Sequence, residues 1–563
     1  MMSSKPKNSA APVPVPKLPA SATVADVILE QLRLWGVQRI YGVVGDAIFG
    51  LLDALAKQEA ISFIAVKHES VAAMMASAEA KLTGRLAVCA SQMGPGLANL
   101  INGLGDAYLD NAPVLAITGQ APLAKIGTSY KQFIHQQQLV GPVSSSSELV
   151  VHPEAVVDSL TQAMSTSLLQ QTVTHLSIPQ DVFLQTAAGP PRAQPMMPVP
   201  CAAPDAVLQA VQIMQSAKRP VMLVGSRVRV DSDVLQAMAD AWGCAIVMSY
   251  GAIGLVPDSH PSLLHGLGEG GNPHLDALFP QADVVLAIET SWWPKSLAPA
   301  NARIIQLAKR PGSIGGSVPA DLAIVGEAAA LLPDWLEEMK QSYKPNPAWL
   351  EQIRKCKQAW SVQRESECRP SASPLAPARI IKSLEQSIAS DAVIALDEGN
   401  STLWFLRSFR ASSQRIVLSE HWRTMGFGLP AAMAAKLCFP NKQVVCITGD
   451  GGLGMVLADL LTAARYRLPI LVVVFNNGAL QMERDKMIKK GLQPEGTELT
   501  NPDFAKVAEG CGWTSFRVET LDQLEQALAR WSSGGEPILL DVATASIPHP
   551  DFTNEREEQL HNG

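Results

Sequence analysis

Short runs of apolar and β-branched residues recur along the chain, separated by longer stretches whose apolar positions return every three or four residues. This alternation predicts strands connected by amphipathic helices, the pattern of an α/β fold. Runs such as Ile470 to Phe475 are far too short to span a membrane and suit strands buried on both faces of a parallel sheet. Two proline-rich breaks interrupt the pattern. One is Gly189 to Pro204 (GPPRAQPMMPVPCAAP), where helix and central strand are both excluded. The other is Pro370 to Pro377 (PSASPLAP), after a charged helical stretch that begins near Pro347. The breaks define three segments, residues 23–188, 205–345 and 376–547, each predicted to form a doubly wound parallel-sheet domain. A disordered arm is expected over residues 1–22 and a charged tail over residues 548–563.

Composition narrows the function. The chain has 563 residues, enough for two to four domains, and its 47% hydrophobic and 17% charged residues suit buried cores. A net charge of -7 supplies no basic field, so nucleic acid is not an expected partner. The eight cysteines are scattered, with no C-x-x-C pair, which argues against a zinc site or disulfide framework and fits a reducing, cytoplasmic setting. The N-terminal stretch lacks the apolar core of a signal peptide, and no stable membrane insertion is expected.

The strongest chemical signal lies in the third segment, QVVCITGDGGLGMVLADLLTAARYRLPILVVVFNNGAL. A strand is expected from Val444 to Thr448, a sharp break at Gly449, Asp450, Gly451 and Gly452, a helix from Met455 to Arg465, and a second strand ending at Asn476 and Asn477. Such a βαβ unit delivers a carboxylate to the strand edge where open α/β sheets bind ligands. The glycines permit close approach of a diphosphate, and the next helix directs its positive end at it. Asp450 and Asn477, ending adjacent strands, could share one small hard cation such as Mg2+, which fills its remaining positions with phosphate oxygens and water.

Gly-Asp-Gly, about 26 residues, then Asn-Asn after an apolar strand resembles the motif of the thiamine diphosphate-dependent enzyme superfamily. The resemblance runs from about Thr23 to Ala543 and is closest to pyruvate oxidases and acetolactate synthase large subunits. It implies pyrimidine-binding, central and diphosphate-binding domains in that order, with thiamine diphosphate and Mg2+ as cofactors. It also implies a homodimer or homotetramer whose active sites lie between subunits. Asp450, Asn477 and Ala479 fall at the metal-binding positions. Gly399, Asn400, Ser401 and Thr402 in LDEGNSTLW, together with Gly449, Gly451 and Gly452, fall where the diphosphate is held. The backbone carbonyl of Arg423 would accept from the cofactor's 4′-amine, and Met425, in RTMGFGLP, matches the residue that props the cofactor into a bent shape. Glu69, in VKHESVAAMMASAEAKLTG, falls at the glutamate that activates the aminopyrimidine and so generates the nucleophilic ylid. Addition to a 2-oxo acid and loss of carbon dioxide would leave an enamine, which is then oxidised, ligated or protonated.

The departures concern the substrate. Where the family carries Phe-Gln-Glu, this chain reads Lys131, Gln132, Phe133. Lys131 either attracts a second anionic group or points to solvent. Met482 matches a substrate-pocket position, and Glu483 resembles the glutamate of non-oxidative 2-oxo acid decarboxylases, a candidate proton donor; the paired histidines of those enzymes are absent after Gln120. Ala308, in IIQLAKRP, replaces the acidic residue that binds the FAD ribose in pyruvate oxidases, which leaves FAD an open question. A nicotinamide-dependent dehydrogenase is a weaker reading. The formal GxGxxG at Gly266 to Gly271 has no clear strand before it or helix after it. A non-catalytic paralogue usually loses the glutamate or the metal pair, whereas this chain keeps Glu69, Asp450 and Asn477.

Overall fold

The computed structural model describes residues 18–196, 200–290, 298–316, 320–368 and 373–552. Parts of both proline-rich breaks, most of the expected arm and most of the expected tail lie outside those residues. The chain forms two compact units, residues 1–198 and 199–563.

The first unit holds a six-stranded parallel sheet: β1 (Arg39–Gly42), β2 (Ser62–Ala65), β3 (Ala87–Ser91), β4 (Val114–Gln120), β5 (Ser146–Leu149) and β6 (Val173–Pro179). Its order is β2-β1-β3-β4-β6-β5. The second unit contains two more parallel sheets. One is built from β7 (Pro220–Val224), β8 (Ala245–Met248), β9 (Val284–Ile288), β10 (Arg303–Ala308) and β11 (Leu322–Val325), ordered β11-β10-β9-β7-β8. The other contains β12 (Val393–Leu396), β13 (Arg415–Val417), β14 (Val444–Gly449), β15 (Leu471–Asn476), β16 (Thr514–Val518) and β17 (Ile538–Ala543), ordered β13-β12-β14-β15-β17-β16. Three parallel-sheet α/β layers are therefore present, as the apolar runs predict. The first and third sheets share one topology. In each, the chain reverses direction across the sheet between its first and third strands, opening a crevice at the strands' carboxyl ends.

The central strands are apolar because helices cover both faces. Val444 to Ile447 and Leu471 to Val474 are all fully buried. The helix Pro347–Glu367 connects the two sheets of the second unit. Its Trp349 donates to the carbonyl of Pro220 beside the central sheet at 3.0 Å, and its Glu367 pairs with buried Arg407 at 2.7 Å. Arg407 lies on the helix Asn400–Ser408, so the connecting helix anchors the element that follows β12. No helix among the described residues is long and apolar enough to cross a membrane.

Three local expectations need correction. The helix expected from Met455 to Arg465 is instead a short helix Asp450–Met455, a tight turn Leu457–Asp459 and a second short helix Leu460–Arg465. Gly451, Gly452 and Gly454 are poor helix formers, which hid the first turn from a periodicity reading. The arm gives way to ordered chain before residue 23: Ala22 is buried and accepts from the N–H of Ala187. Thr23 and Asp26 then form a reciprocal cap on the helix Val24–Leu34. The tail is folded at its start, where His549, Asp551 and Phe552 are buried and the His549 ring meets Trp404 edge-on at 5.0 Å.

In the first unit, the helices Glu69–Thr83 and Pro95–Leu109 cross closely, because Gly103 has no side chain where one would meet the Met74 nitrogen at 2.5 Å. Gly103→Ala should therefore destabilise the protein by about 1–3 kcal/mol through overpacking. Chemical denaturation checks this; unchanged stability would show that the helices can separate without cost.

Candidate functional site

The carboxyl ends of β12 and β14 flank the switch point of the third sheet. A cleft with about 630 Å³ of empty space, open to solvent, lies there. It is lined by Gly399, Asn400, Ser401, Met425, Gly449, Asp450, Gly451, Gly452, Asn477, Ala479, Met482 and Glu483. Twelve positions singled out in the sequence, on four separate stretches, thus converge on one cavity.

The register explains the convergence. β14 pairs with β12 on one side and β15 on the other, so the residues after these strands emerge side by side. Asp450 begins its helix at the end of β14 and is only 3% exposed. One carboxylate oxygen accepts from the Gly478 N–H at 2.8 Å and Asn501 Nδ2 at 2.7 Å, the other from the Gly451 N–H at 3.0 Å. Burial pushes the Asp450 carboxyl above its ordinary range, against the pull of these donors. Asn477 follows β15, and its Oδ1 accepts from the Ala479 N–H at 3.2 Å.

On the opposite wall, Gly399 has φ of 137° and starts the helix Asn400–Ser408. That conformation is open to glycine and strained for other residues. Asn400 Oδ1, Ser401 Oγ, Trp404 Nε1 and Gln481 Oε1 all line or border this cleft, are buried, and have no hydrogen-bond partner among the described residues. Buried polar atoms without partners are rare, and a cluster of them marks a place for a polar ligand.

Residues 22–139, 207–334 and 397–542 match, in turn, the sequence families described as thiamine pyrophosphate enzyme N-terminal TPP binding domain, central domain and C-terminal TPP binding domain. The chain is 33% identical over 534 residues to YdaP of Bacillus subtilis (strain 168), covering 94% of this chain and 93% of that protein; its name gives thiamine pyrophosphate provisionally and no activity. The chain belongs to the thiamine pyrophosphate enzyme family. It is also 29% identical over 541 residues to a pyruvate oxidase of Lactiplantibacillus plantarum, covering 93% of this chain and 89% of the relative. A probable acetolactate synthase large subunit of Methanocaldococcus jannaschii is 30% identical, over 92% of this chain and 91% of the relative.

The residues present fit thiamine pyrophosphate. The unpartnered atoms of Asn400 and Ser401 stand at a helix start, where backbone N–H groups also lack partners within the helix. The donor set of Asp450, Asn477 and Ala479 offers hard oxygens with a single carboxylate, which suits a magnesium ion shared with phosphate. Among the described residues, no group of three or more His, Cys, Asp or Glu forms an alternative metal site.

Some positions differ from expectation. Thr402 does not face the cleft: its hydroxyl donates to the carbonyl of Asp397 and its N–H to the carbonyl of Gly399 at 3.1 Å, so both donors close the turn. Arg423 lies next to the lining residue Met425 and holds a left-handed φ of 54°. Glu483 is at the rim with a 55% exposed side chain, 3.3 Å from Lys486. Glu69 and Gln132 belong to the first unit. Glu69 opens its helix and accepts from Asn99 Nδ2 at 2.9 Å. Gln132, at φ 60°, accepts from Gln92 Nε2 at 2.8 Å, and Gln92 also donates to Asp46 at 2.6 Å. Lys131 pairs with Asp46 at 2.6 Å while remaining 59% exposed. Asp46, Gln92, Lys131 and Gln132 meet beyond the carboxyl ends of β1 and β3, the switch point of the first sheet, while Glu69 follows β2.

Sequence reading passed over Asp397, Glu398 and Asn501. Asp397 is 2% exposed and accepts from Thr448 Oγ1 at 2.8 Å and from the Gly426 N–H at 2.7 Å, joining both walls of the cleft. Its place just after β12 was an available signal; Asn501 sits in a loop that carries none.

Asn400→Ala and Ser401→Ala should each weaken thiamine pyrophosphate binding by roughly tenfold. Thr402→Val should leave affinity near wild type and lower stability by about 1 kcal/mol. Titration of cofactor against tryptophan fluorescence, with Trp404 in the cleft wall as reporter, separates the two outcomes.

Proposed function

We propose that this chain is a thiamine diphosphate- and Mg2+-dependent enzyme that cleaves pyruvate-like 2-oxo acids beside the carbonyl, as a carboligase of the acetolactate synthase type or an oxidase of the pyruvate oxidase type. The observation that carries the reading is the cleft itself. A buried carboxylate with neutral partners faces unpartnered polar atoms at a helix start, in a chain that also retains Glu69. The names of the relatives, pyruvate oxidase and acetolactate synthase large subunit, supply the substrate class. Bound thiamine diphosphate supplies a carbon nucleophile and an electron sink, chemistry that no side chain offers.

The chain's own residues then have distinct tasks. Asp450, Asn477 and the Ala479 carbonyl hold the cation, and Asn400 and Ser401 bind the diphosphate. Met425 supports the organic part of the cofactor, while the carbonyl of Arg423 accepts from its amine. Glu69 would hydrogen-bond the aminopyrimidine ring and hold the proton whose movement activates the cofactor. Asn99 orients that carboxylate. Met482 and Gln132 border the substrate. The assembly is a homodimer or homotetramer in which Glu69 of one subunit serves the cleft of another, and its setting is cytoplasmic.

A second reading, non-oxidative decarboxylation to an aldehyde, is supported by Glu483, which lines the cleft and could deliver a proton. Separating acetolactate, acetate and aldehyde after incubation with pyruvate and longer 2-oxo acids tells the outcomes apart. Absence of every product with fully loaded enzyme would reject the 2-oxo acid reading. Glu69→Gln should keep the cofactor and lose turnover by about 10²–10⁴-fold, the scale of a positioned acid–base group; full activity would overturn its assignment.

Flavin use turns on the central sheet. Ala308 ends β10, and Lys309 beyond it pairs with Glu327 at 2.7 Å. With no carboxylate at Ala308 for a ribose, we propose catalysis without FAD, which favours the carboligase over the oxidase. The visible spectrum of the purified protein should lack a flavin band; a yellow protein would contradict this.

A further inference from the structure

The loop 419–427 carries Met425 into the cleft and holds Arg423 in a left-handed conformation that non-glycine residues rarely adopt. Two anchors of this loop are already evident. Glu420 accepts from Ser226 Oγ at 2.6 Å and from the Gly251 N–H at 2.8 Å, and the Gly426 N–H donates to Asp397. Between them the Arg423 side chain makes two ion pairs. Nη2 lies 2.9 Å from Oε1 of Glu398, and Nη1 lies 3.3 Å from Oε2 of Glu269. Glu398 follows β12, is 8% exposed and lines the cofactor cleft. Glu269 lies outside that cleft, in the glycine-rich stretch Gly266 to Gly271, and its carbonyl accepts from the Tyr250 hydroxyl. This stretch matches a dinucleotide motif only in its letters; here it serves as a fixed post.

We propose that Arg423 is a positioning residue whose side chain, by bridging Glu398 and Glu269, holds the loop 419–427 in the shape that receives thiamine diphosphate. Glycine would adopt the Arg423 backbone with less strain, so the local conformation alone does not call for an arginine. The guanidinium offsets that strain by joining a cleft wall to the stretch between β8 and β9 that carries Glu269, and charge-assisted pairs of this kind are stronger and more directional than neutral ones.

The clamp is pH-dependent. Burial raises the Glu398 carboxyl to about 7, opposed by Arg423 and, from the helix Gln481–Lys489, by Lys486; neighbouring Asp397 raises it further. Asp450 and Glu483 share the cleft. Glu398 is ionised, and its arm of the clamp engaged, above its folded pKa; that arm is lost as pH falls through about 7.

The proposal rests on reading this cleft as the thiamine diphosphate site, and the test separates the two. Cofactor affinity is measured by tryptophan fluorescence with excess Mg2+, on the full chain, for wild type, Arg423→Gly, Glu398→Gln and Glu269→Gln, with thermal melting as a check on folding. The clamp predicts weaker binding in all three variants, by about tenfold for Arg423→Gly. Glu269→Gln combined with Arg423→Gly should be no worse than Arg423→Gly alone. Wild-type affinity should also fall below pH 7 more steeply than that of Glu398→Gln. If Arg423 merely attracts the diphosphate and the glutamates repel it, Glu398→Gln and Glu269→Gln bind more tightly, and the clamp is refuted. If Arg423→Gly binds as well as wild type, relief of strain outweighs any positioning and the clamp is again refuted. A wild-type protein that binds no cofactor overturns the underlying assignment of the cleft. Should Arg423→Gly fail to fold, the two glutamine variants decide by the sign of their shift.

Discussion

A single buried carboxylate organises the site. Asp450 is held at the end of β14 by donors that are all neutral, Gly451, Gly478 and Asn501, while burial works against its ionised form. An ionised carboxylate in such a place is costly without a positive partner. In the proposed reading, a divalent cation held by Asp450, Asn477 and the Ala479 carbonyl would remove that cost. Cation binding and local stability would then be linked, because the cation would offset the cost of the buried charge.

The sheet makes this arrangement reproducible. Six parallel strands in the order β13-β12-β14-β15-β17-β16 place the ends of β12, β14 and β15 side by side, with the reversal of chain direction between β12 and β14. Asp397 joins the walls by accepting from Thr448 on one strand and Gly426 on the facing loop. The connecting helix anchors the helix Asn400–Ser408 through Arg407 and Glu367, with Trp360 beneath the guanidinium at 5.1 Å. The first sheet repeats the topology and gathers Asp46, Gln92 and Gln132 at its own switch point. One architecture thus produces two polar crevices with different lining, one around the buried carboxylate of Asp450 and one rich in amides.

Much of this was legible in the sequence. The apolar runs revealed the parallel strands because burial on both faces leaves no polar alternation to confuse the signal. The Gly449 to Gly452 turn and Asn477 pointed to the cleft they line because their residue types stand at a spacing that ends adjacent strands. What the sequence concealed was tertiary. The helical turn that starts at Asp450 was hidden because Gly451, Gly452 and Gly454 run against helix propensity. The inward commitment of Thr402 depends on where the Asp397 carbonyl sits, and the roles of Glu398 and Asn501 arise from contacts with distant chain. Arg423 could be assigned a backbone role from its neighbours, but its side chain's two partners come from segments far away in sequence.

The central claim is tested most directly by a crystal structure of the protein grown with thiamine diphosphate and magnesium. The account predicts a cation bound by Asp450 and Asn477, with the diphosphate against Asn400 and Ser401. A diphosphate bound at the carboxyl edge of the central sheet instead, with Asp450 lacking any cation, would contradict it.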